Sequence, residues 1–230
     1  MQQSKPNACC LFTVKMLKIY FSCIHRLPPA ETVHKKLLTL PLSLQQKILT
    51  YKNPWDRILR LSSKLLLQES IHQFALINTI RLDDLQLSKN NKPHFNNALY
   101  FSAAHSGKIA VCAACTDGDV GIDIEEIKPV GLIDYEEYFT SEEWRHINTD
   151  SNPVDNFYMV WTRKEAILKA SGSGIHENFA SLEVLKKEVF FKGLNYYLQE
   201  IAVAEGYICH IASTVPNLKT EITTVQLFEE

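Results

Sequence analysis

Val120-Gly121-Ile122-Asp123-Ile124-Glu125 is the stretch on which the reading of this chain turns. As a strand, its period of two sends Ile122 and Ile124 to one face and Asp123 and Glu125 to the other. Two carboxylates sharing a partly buried side repel each other, and neither stays ionised there cheaply without a cation between them. A hard divalent ion bound through oxygen is the natural answer. The plain alternative is a strand running out into solvent with acids at its exposed end. Upstream, Asp117-Gly118 is a hairpin signal, Lys108 to Thr116 is apolar, and Gly107 turns the chain out of Leu99 to Ser106. Three consecutive antiparallel strands ending on the acids are therefore expected.

Downstream, Asn152-Pro153 supplies an N-cap and a first-turn proline for a helix through Phe157, Val160, Trp161, Ile167 and Leu168, stopped by Gly172 and Gly174. It contains Trp161-Thr162-Arg163-Lys164-Glu165-Ala166-Ile167-Leu168-Lys169. Glu165 and Lys169 are spaced to share one face, with Trp161 a turn earlier. An i,i+4 Glu-Lys pair alone is ordinary helix decoration. Here Glu165 follows Asp123 by 42 positions. The two stretches in this order and at this interval resemble the signature of the 4′-phosphopantetheinyl transferases of the monomeric surfactin (Sfp) type, G-I/V-D-x-E and then W-S/T/C-x-K-E-A/S-x-x-K.

The resemblance runs from residue 16 to about 228 and carries expectations with it. Mg2+, with Mn2+ as a substitute, would be held by Asp123, Glu125 and Glu165. Lys92, Pro93, His105 and Ser106 match the family's G-K-P and F-N-x-S-H-S segments and would bind coenzyme A, together with Lys47, Lys164 and Lys169. Asn91, Ser102 and Ala104 depart from those segments, so the hydrogen bond that the family's first serine makes to the nucleotide is lost at Ala104. His105, if it meets phosphate as an imidazolium, would make binding weaken above pH ~7. Tyr138 to Trp144 resembles F-S-x-x-E and points to Glu143, with Glu142 as its rival, as an acid near the metal. The catalytic set implied is Glu165, Lys169 and Glu143, the general base being Glu143, Glu165 or a metal-bound water.

The fold expected is α+β: a pseudo-duplicated two-half arrangement, each half a helix packed on a small, mostly antiparallel sheet. Leu17 to Cys23 reads as the opening strand. Ser43-Leu44-Gln45-Gln46 has the pattern of a capping box, and Asn53-Pro54 opens a long helix whose apolar positions Ile58, Leu61, Leu65, Leu66 and Ile71 lie opposite Arg57, Arg60 and Lys64. Strands are expected at 188–191, 196–203, 207–213 and near 225–228. Residues 1–15 are expected to be a disordered extension, 16–124 the N-terminal half and 125–230 the C-terminal half, with the active site between the halves.

At 230 residues, 46% apolar and 22% charged, the chain has the composition of a globular protein. A net charge of −2 argues against general nucleic-acid binding. No run approaches the roughly 20 apolar residues of a membrane span. Lys15 and Lys18 interrupt the apolar start, so a cytoplasmic protein is expected. Cys112 and Cys115 sit in an apolar strand with no second pair to complete a zinc site, which favours a packing role.

The activity implied is Mg2+-dependent transfer of 4′-phosphopantetheine from coenzyme A to a serine of an apo acyl or peptidyl carrier protein by a monomer, releasing adenosine 3′,5′-bisphosphate. A catalytically silent homologue that binds coenzyme A or a carrier is the alternative that Asn91, Ser102 and Ala104 favour. A metal-dependent phosphatase explains the acids but not Trp161 to Lys169. Because residues 1–15 precede every cap and periodic signal, a chain starting at Met16 is expected to melt within a few degrees of the full one; calorimetry on both tests this.

Overall fold

The computed structural model describes residues 15–74, 80–96, 99–149, 151–174 and 179–228. The expected extension, residue 15 apart, lies outside the described residues. Among the described residues, fifteen α-helices and strands organise the chain around two four-stranded sheets. The first holds β1 (Met16–Cys23), β4 (Tyr100–Ser106), β5 (Ile109–Cys115) and β10 (Lys219–Thr224), in the order β10-β1-β5-β4. The second holds β6 (Val120–Glu126), β7 (Glu188–Phe191), β8 (Leu194–Glu200) and β9 (Tyr207–Ser213), in the order β6-β9-β8-β7. Helices α1 (Ala30–Leu37), α2 (Leu42–Leu49) and α3 (Pro54–Gln73) serve the first sheet, and α4 (Ser141–Thr149) and α5 (Pro153–Ser171) the second. The short strands β2 (Gln86–Leu87) and β3 (Pro93–His94) pair with each other. This is the expected pairing of one long helix with one small sheet, twice over.

Apolar periodicity explains the layering. On β5 every residue is buried, and alternate side chains enter different cores. Ala110, Cys112 and Ala114 pack with α3, while Ile109, Val111, Ala113 and Cys115 face β6 and β9 in a cluster between the sheets. Both cysteines are free thiols in these cores, as a packing role requires. On β6, Val120, Ile122 and Ile124 enter the intersheet cluster and Gly121 turns to α5.

Several expectations are corrected. β4 and β5 form a hairpin, but β6 does not extend it: β6 pairs antiparallel with β9, Asp123 opposite His210. The Asp117-Gly118 turn carries the chain across to the other sheet, where Thr214 donates its N–H to the Asp119 carbonyl at 3.0 Å. The division expected between residues 124 and 125 falls inside β6, and β10 returns to pair parallel with β1, so the halves interlock. Residues 225–228 form no strand; Leu227 and Phe228 instead cover the first core. Ser43 caps nothing, because α2 starts at Leu42 and the Pro41 carbonyl already takes the first-turn amides of Leu44 and Gln45. Asn53 does cap α3, accepting the Trp55 N–H at 2.8 Å. Among the described residues no helix is long and apolar enough to cross a membrane.

Gly121 is the closest point between sheet and helix. A Cβ there would collide with the Ala166 carbonyl and the Ala170 amide, which are backbone atoms that cannot swing away. Gly121→Ala is expected to cost about 3 kcal/mol. Differential scanning calorimetry should show a fall of roughly 6–12 °C for a chain of this size.

Candidate functional site

The close approach at Gly121 dictates the surroundings of the next residues of β6. Asp123 lies on the same face and is 4% exposed. Lys169 on α5 donates to its Oδ1 at 2.6 Å, while Oδ2 is buried with no partner. Glu165, a turn before Lys169, is 7% exposed; burial and then the Asp123 charge push its carboxyl up to about 7, with Lys169 opposing and Glu125 adding. Burial and Asp123 also raise Glu125, whose Oε2 accepts a 2.7 Å hydrogen bond from Ser106 Oγ. Burial raises Asp123 as well, against the pull of Lys169. On Lys169, burial works against the charge, and Asp123 and Glu165 outweigh it. Three carboxylates thus compete for one ammonium.

Among the described residues no His, Cys, Asp or Glu side chains converge as a group of three able to hold a metal. Lys169 occupies the cation position in this arrangement. Yet an orphaned buried carboxylate oxygen and a glutamate driven towards neutrality mark a deficit of positive charge among hard oxygen donors. In donor chemistry the three acids suit a hard dication.

A second feature gathers cations. Lys47 and Ile48 of α2, Tyr51, Arg60 and Lys64 of α3, and Ala103 and His105 of β4 line a cavity of about 170 Å³. The Arg60 guanidinium lies 3.8 Å from the centre of the Tyr51 ring. Burial and then the neighbouring Lys47 and Arg60 charges lower the Lys64 pKa, leaving a cavity rich in donors and short of anions. Without a bound anion, burial, Arg60 and Lys169 hold the His105 pKa below its ordinary 6.5. An adjoining cavity of about 250 Å³ runs past Ser102, Ala103, Lys92 and Pro93 to Lys169. Ala103 borders both cavities, whereas Ala104 turns into the intersheet cluster, so the missing serine hydroxyl is not one that would face either.

Lys92 is already engaged. Its Nζ donates to Asp119 Oδ1 at 2.9 Å and to the Ala170 carbonyl at 2.5 Å, and its stem lies over Gly172, left-handed at φ 66°, which ends α5. Ser106 is also committed, donating to Glu125 and accepting the Glu126 N–H.

Glu143 and Lys164 are not at the site. Both are 0% exposed and pair at 2.6 Å. Glu143 Oε1 accepts the Val184 N–H and Oε2 the Thr140 N–H, while Lys164 donates to the Phe179 carbonyl beside the Phe139 and Phe179 rings. The pair ties α4 and the 179–184 segment to α5 in the core. A catalytic Glu143 and a nucleotide-binding Lys164 are therefore withdrawn. Sequence reasoning also missed His210, buried opposite Asp123 and pulled down to about 3 by burial and Arg163. Its Nδ1 meets Thr162 Oγ1 at 2.8 Å and its Nε2 accepts from Arg163 at 3.3 Å. Nothing local in Ile208 to Ile211 marks that histidine as different from any other strand residue.

Comparison with known proteins finds several that this chain is similar to. Residues 119–211 match the 4′-phosphopantetheinyl transferase superfamily. The chain is 29% identical over 198 residues to the 4′-phosphopantetheinyl transferase gsp of Aneurinibacillus migulanus, covering 80% of this chain and 81% of that relative. It is 27% identical over 160 residues to the 4′-phosphopantetheinyl transferase Sfp of Bacillus subtilis, covering 66% and 70%. With psf-1 of Bacillus pumilus it shares 37% identity over 98 residues, covering 40% and 41%. The stretch that matches the superfamily, residues 119–211, takes in both the acids of β6 and the whole of α5.

The raised acid and the buried pair each lead to a measurable outcome. A carboxyl raised from 4.5 to about 7 stabilises the fold fully below 4.5, and that contribution is lost as pH rises through 7. Chemical denaturation of the metal-free protein should show roughly 3 kcal/mol of stability lost across this window, and Glu165→Gln should flatten the slope. Lys164→Ala, which strands Glu143 in the core, should cost about 3–5 kcal/mol by the same measurement.

Proposed function

We propose that the protein transfers the 4′-phosphopantetheine group of coenzyme A to a serine hydroxyl of an apo acyl or peptidyl carrier protein, with Mg2+, releasing adenosine 3′,5′-bisphosphate. One observation carries this reading: Lys169, bonded to Asp123 and coupled to the raised carboxyl of Glu165, lines a cavity that shares Ala103 with the cavity of Lys47, Arg60, Lys64 and His105. Cations in that second cavity suit the nucleotide phosphates, and oxygen donors beside Lys169 suit a dication on the pyrophosphate. All these groups come from one chain, so the proposed monomer needs no second copy to complete the site.

The serine oxygen attacks the phosphorus that carries the pantetheine arm, forming a new O–P bond as the bond to the bridging pyrophosphate oxygen breaks. Asp123, Glu125 and Glu165 would hold Mg2+, which when bound supplies positive charge to the pyrophosphate. With Glu143 buried, Glu165 is the candidate among the chain's own groups for receiving the serine proton. Lys169 neutralises charge on the departing nucleotide once it leaves Asp123. Lys47 and Arg60 bind phosphate in ground and transition state alike, so Lys47→Ala should raise KM for coenzyme A more than it lowers kcat.

The test is incubation with coenzyme A, Mg2+ and apo carrier, read by mass spectrometry. A gain of about 340 Da on the carrier, the mass of the transferred group, is expected under the phosphoryl-transfer scheme. Coenzyme A binding without any gain, on acyl and peptidyl carriers alike, would leave the silent homologue standing instead. Asp123→Asn and Glu165→Gln should each slow transfer by orders of magnitude, with the double variant hardly worse than either. Near-normal rates in both would remove these acids from the chemistry.

A further inference from the structure

Ser106 links the strand that borders the cation cavity to the acids of β6. It comes after His105, which lines the cation cavity, and precedes Gly107, whose φ of 55° turns the chain against Glu126 and Tyr207. Its hydroxyl makes two bonds into the other sheet, donating to Glu125 Oε2 at 2.7 Å and accepting the Glu126 N–H at 3.1 Å. Both are satisfied together, because a hydroxyl has one proton to give and lone pairs to receive. The first bond holds a carboxylate oxygen, and the second holds the backbone that carries that carboxylate. Tyr207 adds a parallel tie, its hydroxyl accepting the Lys108 N–H at 3.1 Å. β4 and β6 are edge strands of separate sheets with no ladder between them, so these side-chain bonds add polar ties to the apolar contacts that join them.

We infer that Ser106 is a positioning residue: it orients Glu125 for the metal rather than binding coenzyme A, and so couples the strand bearing His105 to the acids. This rests on the proposed function, because it assigns Glu125 to the ion. The chemistry is that of an outer hydrogen bond to a carboxylate ligand, whose loss commonly weakens metal affinity about 10-fold or more. A hydroxyl spent on Glu125 and the Glu126 amide has no proton left for a phosphate oxygen. The sequence match of Ser106 to a nucleotide-binding segment is thereby given a different meaning.

The experiment uses the full chain with Mn2+ as probe, its affinity read by electron paramagnetic resonance without substrate, beside steady-state kinetics. Ser106→Ala should weaken Mn2+ binding about 10-fold and lower kcat, with KM for coenzyme A changed less than twofold. Ser106→Thr, which keeps the hydroxyl, should restore most of both. In a Glu125→Gln background the alanine change should add little, because the residue acts through that carboxylate. Normal Mn2+ affinity with KM for coenzyme A raised tenfold would overturn the inference in favour of a nucleotide contact. Normal values throughout would overturn it too. A wild-type chain that takes up no Mn2+ would overturn this role and the metal reading together, whereas uptake equal in wild type and Ser106→Ala would overturn this role alone.

Discussion

The contact between α5 and β6 at Gly121 is the constraint from which the site descends. Only a residue without a side chain lets the helix backbone come that close, and the approach buries whatever stands two residues further along the strand. That residue is Asp123. A carboxylate under a helix must find a cation or a proton, and the helix provides one from its own next turn in Lys169. Glu165 then shares the same desolvated space and is left short of counter-charge. The electrostatic tension at the centre of the molecule is therefore a consequence of packing distance.

A second level of organisation is the join between sheets. Ile109, Val111 and Ala113 on one side and Ile122, Ile124 and Ile211 on the other make it apolar and dry. Polar bonds cross at its rim, where Ser106 reaches Glu125 and Lys108 reaches Tyr207. The cation cavity belongs to the first sheet and its helices, and most of the acids to the second sheet and α5. A groove spanning both can keep its shape only if that join is rigid.

Legibility in the sequence extends to features that depend on near neighbours in the chain. The alternation of Ile122, Asp123, Ile124 and Glu125 and the four-residue step from Glu165 to Lys169 are local patterns, and both survive in three dimensions. Lys164 shows the limit. It precedes Glu165 by one residue, which is about 100° around a helix, and that rotation takes it from the groove into the core against Glu143. Its ammonium reads the same as any other in one dimension. The partner of β6 was illegible for a related reason: a turn such as Asp117-Gly118 specifies a reversal, but which strand receives the chain is decided by burial on both faces of β6, and β9 lies some 80 residues away. The placement of Ala104 likewise results from β4 having one face in the intersheet cluster and the other on the groove.

The parallel pairing of β1 with β10 has a bearing on how the chain is made. β10 follows β1 by 219 − 16 = 203 positions, so one edge of β1 stays without its neighbour while all the chain between them is synthesised. Closing a loop of that length costs little more entropy than closing one half as long, but it cannot be done early. Until then, Lys18 on that strand and the amides beside it are open to any passing extended segment. The charged and threonine-rich Lys219–Thr224 arrives as the piece that ends this exposure, making the finished molecule less sticky than its own nascent form.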